Sequence, residues 1–279
     1  MSKHIALLAI AAGIIASAAV LGLAGGASGA DSLPTLTIAL TGAKGVSVSG
    51  SEVSGAVNLV STFKGKAPQG ENQGPAFGLL RLNLGVSMQQ AFAAVQSHDG
   101  DLNALTPYGT LLLDSSPASV QTVLTPGNYV ALNATGNGDP APAPFTVTQS
   151  PSPAALPAAS ATETAVDLGF QGPTVLHNGT IVRAQNHGWL VHMIALVGVR
   201  DAASGRKVMA LVRAGKNKQA RQLVNKNFVE LLGPSSRGTF QQQVLHAAPG
   251  YYVEACFMDT QNGHEHADLG MERLIQIVR

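Results

Sequence analysis

PGYYVEAC, residues Pro249 to Cys256, decides how this chain is read, because PGNYVALN at Pro126 to Asn133 repeats it in the first half. In both copies a Pro-Gly turn leads into a strand whose tyrosine stands two residues after the glycine. Both follow a run of apolar alternation, Val120 to Leu124 in one case and Phe240 to Leu245 in the other. The superposition sets Asn133 where Cys256 stands. Two copies of one element, each late in its half, are the mark of an internal duplication.

Working outward from the two copies, SPSPAALPAASAT at Ser150 to Thr162 separates the halves with the composition of an extended, solvated connector. The chain divides accordingly into 1–30, 31–149, a linker at 150–162, and 163–279. Strands are expected at Leu36 to Thr41, Val53 to Phe63 and Leu79 to Leu84, then at Thr164 to Phe170, Thr180 to Gln185 and His192 to Val199. One short helix is expected in each half. The first has Ser87 as cap, Gln90 three residues on, and Met88, Ala91, Phe92 and Val95 on its apolar face. The second starts near Asn217, aligns Ala220, Leu223, Val224, Phe228 and Leu231, and stops at Gly233 and Pro234. The class is all-β: two tandem sandwiches, each with one inserted helix.

Composition agrees. Charged residues make up 12% of the 279 and hydrophobic ones 45%, with 31 Gly and 15 Pro, a balance suited to short strands and turns. The formal charge of +1 leaves no basic surface for nucleic acid. At the N-terminus, one lysine, an apolar run from Ile5 to Leu23 and small residues ending at Ala30 read as a secretory signal; the same run is long enough to anchor the chain if it is retained. No further span follows, so a periplasmic, secreted or cell-surface location is expected. In such a compartment thiols usually pair, yet Cys256 is the only cysteine. Its fate is a buried inert thiol, an intermolecular disulfide or a metal ligand.

Four residues stand out together: His192 in NHGWLVH, which also holds Asn186 and Gly188, then Cys256, and finally His266 and Met271 in HADLGM. Two imidazoles, a thiolate and a weak axial thioether form a donor set that copper occupies in both oxidation states with little rearrangement. In this order the residues resemble the cupredoxin family, the blue copper proteins. The likeness extends over the second half and is nearest to exported bacterial cupredoxin-like proteins that pair a long Cys-to-His loop with a closing HxxLGM segment. It implies Greek-key sandwiches and one copper ion on His192, Cys256, His266 and Met271.

The chain departs from the family at two points. The loop FMDTQNGHE, Phe257 to Glu265, is longer than in small electron carriers, and its His264 either substitutes for His266 as ligand or hangs in solvent, with His266 favoured because it begins the matching segment. Glu254 falls on the cysteine's face of its strand where the family usually has an apolar side chain; buried, it would need a partner, and of pairing with a cation, tuning the site's potential and solvation at the mouth of the sandwich, solvation is favoured. The first half has no cysteine, Phe77 where a counterpart of His192 is due, and His98 as its one histidine, so it is read as a metal-free partner domain. No enzyme is expected: a closed mononuclear site leaves no open position, His264 and His266 form the one His-x-His pair, and GxSxG, HExxH and GxxxxGKS are absent. From the residues alone, electron transfer, copper holding, and a metal-free surface protein with an unidentified partner remain open.

Overall fold

The computed structural model describes residues 33–42, 45–65, 75–115, 118–134 and 141–279. The expected signal at 1–30 lies outside them. Among the described residues no helix is long and apolar enough to cross a membrane.

The first half supplies β1 (Thr35–Thr41), β2 (Gly45–Gly50), β3 (Gly55–Lys64), β4 (Ala76–Leu82), α1 (Met88–Ser97), a 3-10 turn (Leu102–Leu105), β5 (Gly109–Ser115), β6 (Ala118–Leu124), β7 (Gly127–Asn133) and β8 (Ala143–Val147). The second supplies β9 (Ala161–Val166), β10 (Gly169–Gln171), β11 (Val175–His177), β12 (Ile181–Asn186), β13 (His192–Val199), α2 (Ala202–Arg213), α3 (Asn217–Arg221), β14 (Val224–Ser235), β15 (Phe240–Val244), β16 (Gly250–Ala255) and β17 (Glu272–Val278). The protein is all-β, with helices only as insertions.

Two sheets hold all of these strands. One runs β10-β9-β12-β15-β6-β3-β1-β2 and the other β11-β17-β16-β13-β14-β5-β4-β7-β8. Read outward from the middle, each sheet repeats one strand order, with β11 as an extra edge strand in the second half, and β1 pairs parallel with β3 as β9 does with β12. The two tyrosines of the repeated turn act alike. Tyr129 donates its hydroxyl to the Thr125 carbonyl at 3.0 Å and Tyr252 donates to Ala248 at 2.7 Å, so each buried ring pins the chain entering its hairpin.

The halves meet edge to edge in both sheets, β6 against β15 at Gln121 and Gln242, and β5 against β14 at Leu112 and Ser235. Each half thereby covers two strand edges that would otherwise stand unpaired. Polar side chains complete the seam. Ser236 accepts from the Leu111 amide at 3.1 Å, Thr122 donates to the Phe240 carbonyl at 2.7 Å, and Glu230 accepts from the Ser115 amide and hydroxyl, each at 2.9 Å. Gly233 faces the Leu113 carbonyl so closely that an added Cβ would overlap it. We expect Gly233→Ala to cost about 2–3 kcal/mol by forcing the two edges apart, read from urea unfolding.

The connector at 150–162 runs along the protein with most of its residues exposed. The Ala154 carbonyl accepts from the Ala56 amide at 2.9 Å and that of Pro157 from Gln242 at 3.1 Å. Pro and Ala supply carbonyls without bulk, and Gly55, at φ +120°, leaves room for Ala154.

α1 carries the expected capping box: Ser87 Oγ accepts from the Gln90 amide at 3.2 Å and the Ser87 amide donates to Gln90 Oε1 at 2.8 Å. The second helix is corrected. It ends at Arg221, and Val224 to Ser235 is β14, paired with β13 at Val197 and Phe228 and at Leu196 and Val229. Apolar residues three or four apart satisfied the helix template, but β-branched and aromatic side chains beside an open edge of β13 favour the strand. The helix before it, α2, went unpredicted because Ser204 and Gly205 sit on its buried face beside Val208 and Val212 and blur the apolar stripe. Asp201 caps it, accepting from the Ser204 amide at 2.7 Å.

Candidate metal centre

β13 and β16 are neighbours, with Ala195 opposite Ala255. His192 opens β13 and Cys256 follows the last residue of β16, so adjacent strands deliver both to one end of the sandwich. The loop between β16 and β17 then folds back. The Ala267 amide donates to the Cys256 carbonyl at 3.0 Å, His266 to Met258 at 2.8 Å, Met271 to His266 at 2.9 Å, and Cys256 to Met271 at 3.3 Å.

The result is a triangle of donors. The Nδ1 atoms of His192 and His266 are 3.0 Å apart, and Cys256 Sγ lies 3.7 Å from the first and 3.3 Å from the second. Metal–nitrogen and metal–sulfur bonds of about 2.0 and 2.3 Å would set three coplanar donors about 3.5–3.7 Å apart, so the triangle fits one ion after a small expansion. All three side chains are fully buried, and among the described residues theirs is the one group of three or more His, Cys, Asp or Glu arranged to hold a metal ion. Met271 is fully buried in the same core cluster as Cys256, its backbone fixed between Cys256 and His266. Of the two alternatives for His264 the structure has the solvated one: it stands exposed past the Thr260 to Gly263 turn, its amide donating to Thr260 Oγ1 at 3.1 Å, and it takes no part in the triangle. Gly263, at φ +78°, makes the turn that carries it outward.

Burial governs the charge state of the donors. It pushes the Cys256 thiol up to about 12, and it lowers His266 to about 4 with help from the neighbouring His192. His192 is also lowered by burial, against the pull of Asp167. The site thus gathers neutral donors around a point with no cation of its own. His266 Nε2 is buried without a hydrogen-bond partner, and the Met193 amide donates to Cys256 Sγ at 3.4 Å. A thiolate and two imidazoles suit copper or zinc by softness.

Three polar groups surround the triangle, of which Asp167 and Asn103 were not foreseen. Asp167, in the turn after β9, accepts through Oδ1 from His192 Nε2 at 3.1 Å, from the Trp189 amide at 2.8 Å and from the Leu190 amide at 3.2 Å. Asn103, in the first half's 3-10 turn, accepts from the Val191 amide at 2.7 Å, and the charge of Asp101 beside it reaches His266. Asn186 is the third. It donates to the Leu190 and Ser235 carbonyls at 2.8 and 2.7 Å and accepts from the Gly188 amide at 2.8 Å. Of the three, Asn186 alone carried a signal in the sequence, inside NHGWLVH.

Glu254 is corrected. It is fully buried and paired with Arg273, which also holds the buried Glu163 of β9. In the first half, Asn133 takes the place of the thiol and donates to the Gly42 and Gly45 carbonyls at 2.9 and 2.8 Å, tying the β1–β2 turn. Phe77 lies opposite it in β4, and His98 is exposed at the end of α1.

No protein-family model matches the chain and no curated protein matches it in sequence. Among solved structures it is similar to reduced auracyanin from Roseiflexus castenholzii, at 16% identity over 44% of this chain and 100% of that one with a TM-score of 0.26. It is similar to auracyanin A, a "blue" copper protein from Chloroflexus aurantiacus, at 15% identity over 42% and 96% with a TM-score of 0.23. A Cu-containing nitrite reductase from Thermus scotoductus SA-01 matches at 11% identity over 88% and 68% with a TM-score of 0.25. The donors occupy one end of the second half, where Asn103 of the first half's 3-10 turn reaches the loop before His192.

Proposed function

We propose that this is an exported one-copper protein built as two cupredoxin-like sandwiches, in which His192 Nδ1, Cys256 Sγ and His266 Nδ1 would hold the ion with Met271 as a fourth donor, and the protein passes single electrons. The observation that carries the reading is the convergence of two imidazoles and the one thiol, 3.0–3.7 Å apart and sealed from water. Copper bound there supplies a one-electron couple. The chain's own part is to hold the donors still: β13 and β16 fix His192 and Cys256, the Met271 backbone ties the loop, and the Met193 amide stabilises negative charge on sulfur.

The test is a copper(II) titration of residues 31–279. One equivalent and an intense visible thiolate-to-copper band are expected, and Cys256→Ser loses the band. No retained copper, or a band unchanged in the variant, overturns the reading.

In this account the first half is a cover. Asn103 joins it to the loop that ends at His192, so removing that bond should ease local opening. Asn103→Ala is expected to speed copper withdrawal by a chelator several-fold at unchanged stoichiometry, followed by the decay of the visible band.

A further inference from the structure

We propose that Asp167 is the positioning residue of the metal centre: it fixes the proton of His192 on Nε2, so that the Nδ1 lone pair points at the ion's place before any ion arrives, and its charge favours the oxidised ion. The inference deepens the copper reading and rests on it only in its second part.

The geometry is specific. One carboxylate oxygen accepts from His192 Nε2 at 3.1 Å and from two successive amides of the loop before it, Trp189 and Leu190, at 2.8 and 3.2 Å. A carboxylate in that position requires the imidazole to donate, and a neutral ring that donates from Nε2 has its lone pair on Nδ1. Nδ1 is the atom facing His266 and Cys256. The carboxylate comes from the β9–β10 turn, so its place is set by the opposite sheet.

Two backbone features serve this contact. Leu168, next to Asp167, is a non-glycine residue at φ +57°, a conformation that needs a compensating interaction. At Gly188 a Cβ would lie 2.6 Å from both Asp167 Oδ1 and His192 Nε2, so glycine keeps the line between them open. Carboxylates behind ligand histidines commonly change metal affinity by about 10–100-fold when removed.

The experiment uses residues 31–279 and three variants. In the copper-free protein, long-range nitrogen–proton NMR of the histidine rings is expected to show His192 protonated on Nε2. Asp167→Asn retains this tautomer, because its amide oxygen still accepts and still binds the loop amides, while Asp167→Ala loses it. Gly188→Ala, which leaves both partners but crowds the line between them, moves the tautomer as Asp167→Ala does. An Nδ1-protonated His192 in the parent protein, or the same tautomer in Asp167→Ala, overturns the proposal whether or not copper binds. In the copper-loaded protein, Asp167→Asn is expected to lower the copper(II) affinity at least tenfold relative to copper(I), a rise of about 59 mV in midpoint potential for a one-electron couple. An unchanged potential overturns the charge effect. Absence of copper from the parent protein would sink the proposed function and leave the tautomer result standing.

Discussion

Replacing Arg273 with methionine is expected to destabilise the protein by about 3–5 kcal/mol near neutral pH, the range seen when one partner is removed from a buried ion pair. Arg273 binds Glu254 through Nε, Glu163 through Nη2 and the Gly172 carbonyl through Nη1 at 2.9 Å. Both carboxyl groups are fully buried, and the second oxygen of each has no partner. One guanidinium faces two carboxyls, so the trio is neutral only when one carboxyl keeps a proton. Burial first, then the charge of Glu254, with Arg273 opposing both, raise Glu163 from 4.5 to about 9. Glu254 is raised by burial too.

The sign follows from proton counting. Above pH 4.5 the unfolded chain has released the Glu163 proton while the folded protein keeps it up to about 9. Stability from this group is therefore complete below 4.5 and is lost as pH rises toward 9. Glu163→Gln, which installs a permanently neutral group of the same shape, should flatten that slope and leave the protein at least as stable as the parent at pH 8. The Arg273→Met loss should grow with pH. Urea unfolding from pH 5 to 9 measures all three; a Glu163→Gln variant that loses as much as Arg273→Met would refute a retained proton.

Copper should stabilise the fold by about 4 kcal/mol when the free ion stands at a thousand times its dissociation constant. The folded protein already brings the three donors together, whereas the unfolded chain separates His192 from Cys256 and His266, so binding favours the folded state. Cys256→Ser and His266→Ala are expected to abolish most of the gain, read as the difference in unfolding free energy with and without copper. The thiol must release its proton to bind. With that proton held up to about 12, affinity should rise about tenfold per pH unit through neutrality.

The repeated turn and strand at Pro126 and Pro249 were legible because their geometry is local: a Pro-Gly turn, a tyrosine that reaches back four residues, and apolar alternation. The capping box at Ser87 was legible for the same reason. β14 was misread because its apolar spacing fits either period, and what decided it was the open edge of β13, a partner distant in sequence. α2 escaped because its inward face is built on Ser204 and Gly205. At the site, His192, Cys256 and His266 announced themselves by residue type and order, since Cys256 is the one thiol of the chain. Asp167 and Asn103 did not, because an aspartate and an asparagine in turns look like any other turn residues until the fold sets them against the ligand loop. Glu254 was assigned to solvent because Arg273, its partner on the neighbouring strand, cannot be matched to it without the register of β16 against β17.

The central claim is tested most directly by anomalous diffraction at the copper edge from crystals of the copper-loaded protein. The account predicts one strong peak inside the triangle, about 2.0 Å from each imidazole Nδ1 and about 2.3 Å from the sulfur, with Asp167 still on His192 Nε2. A peak elsewhere on the chain, or none at His192, Cys256 and His266 in crystals grown with copper, would contradict it.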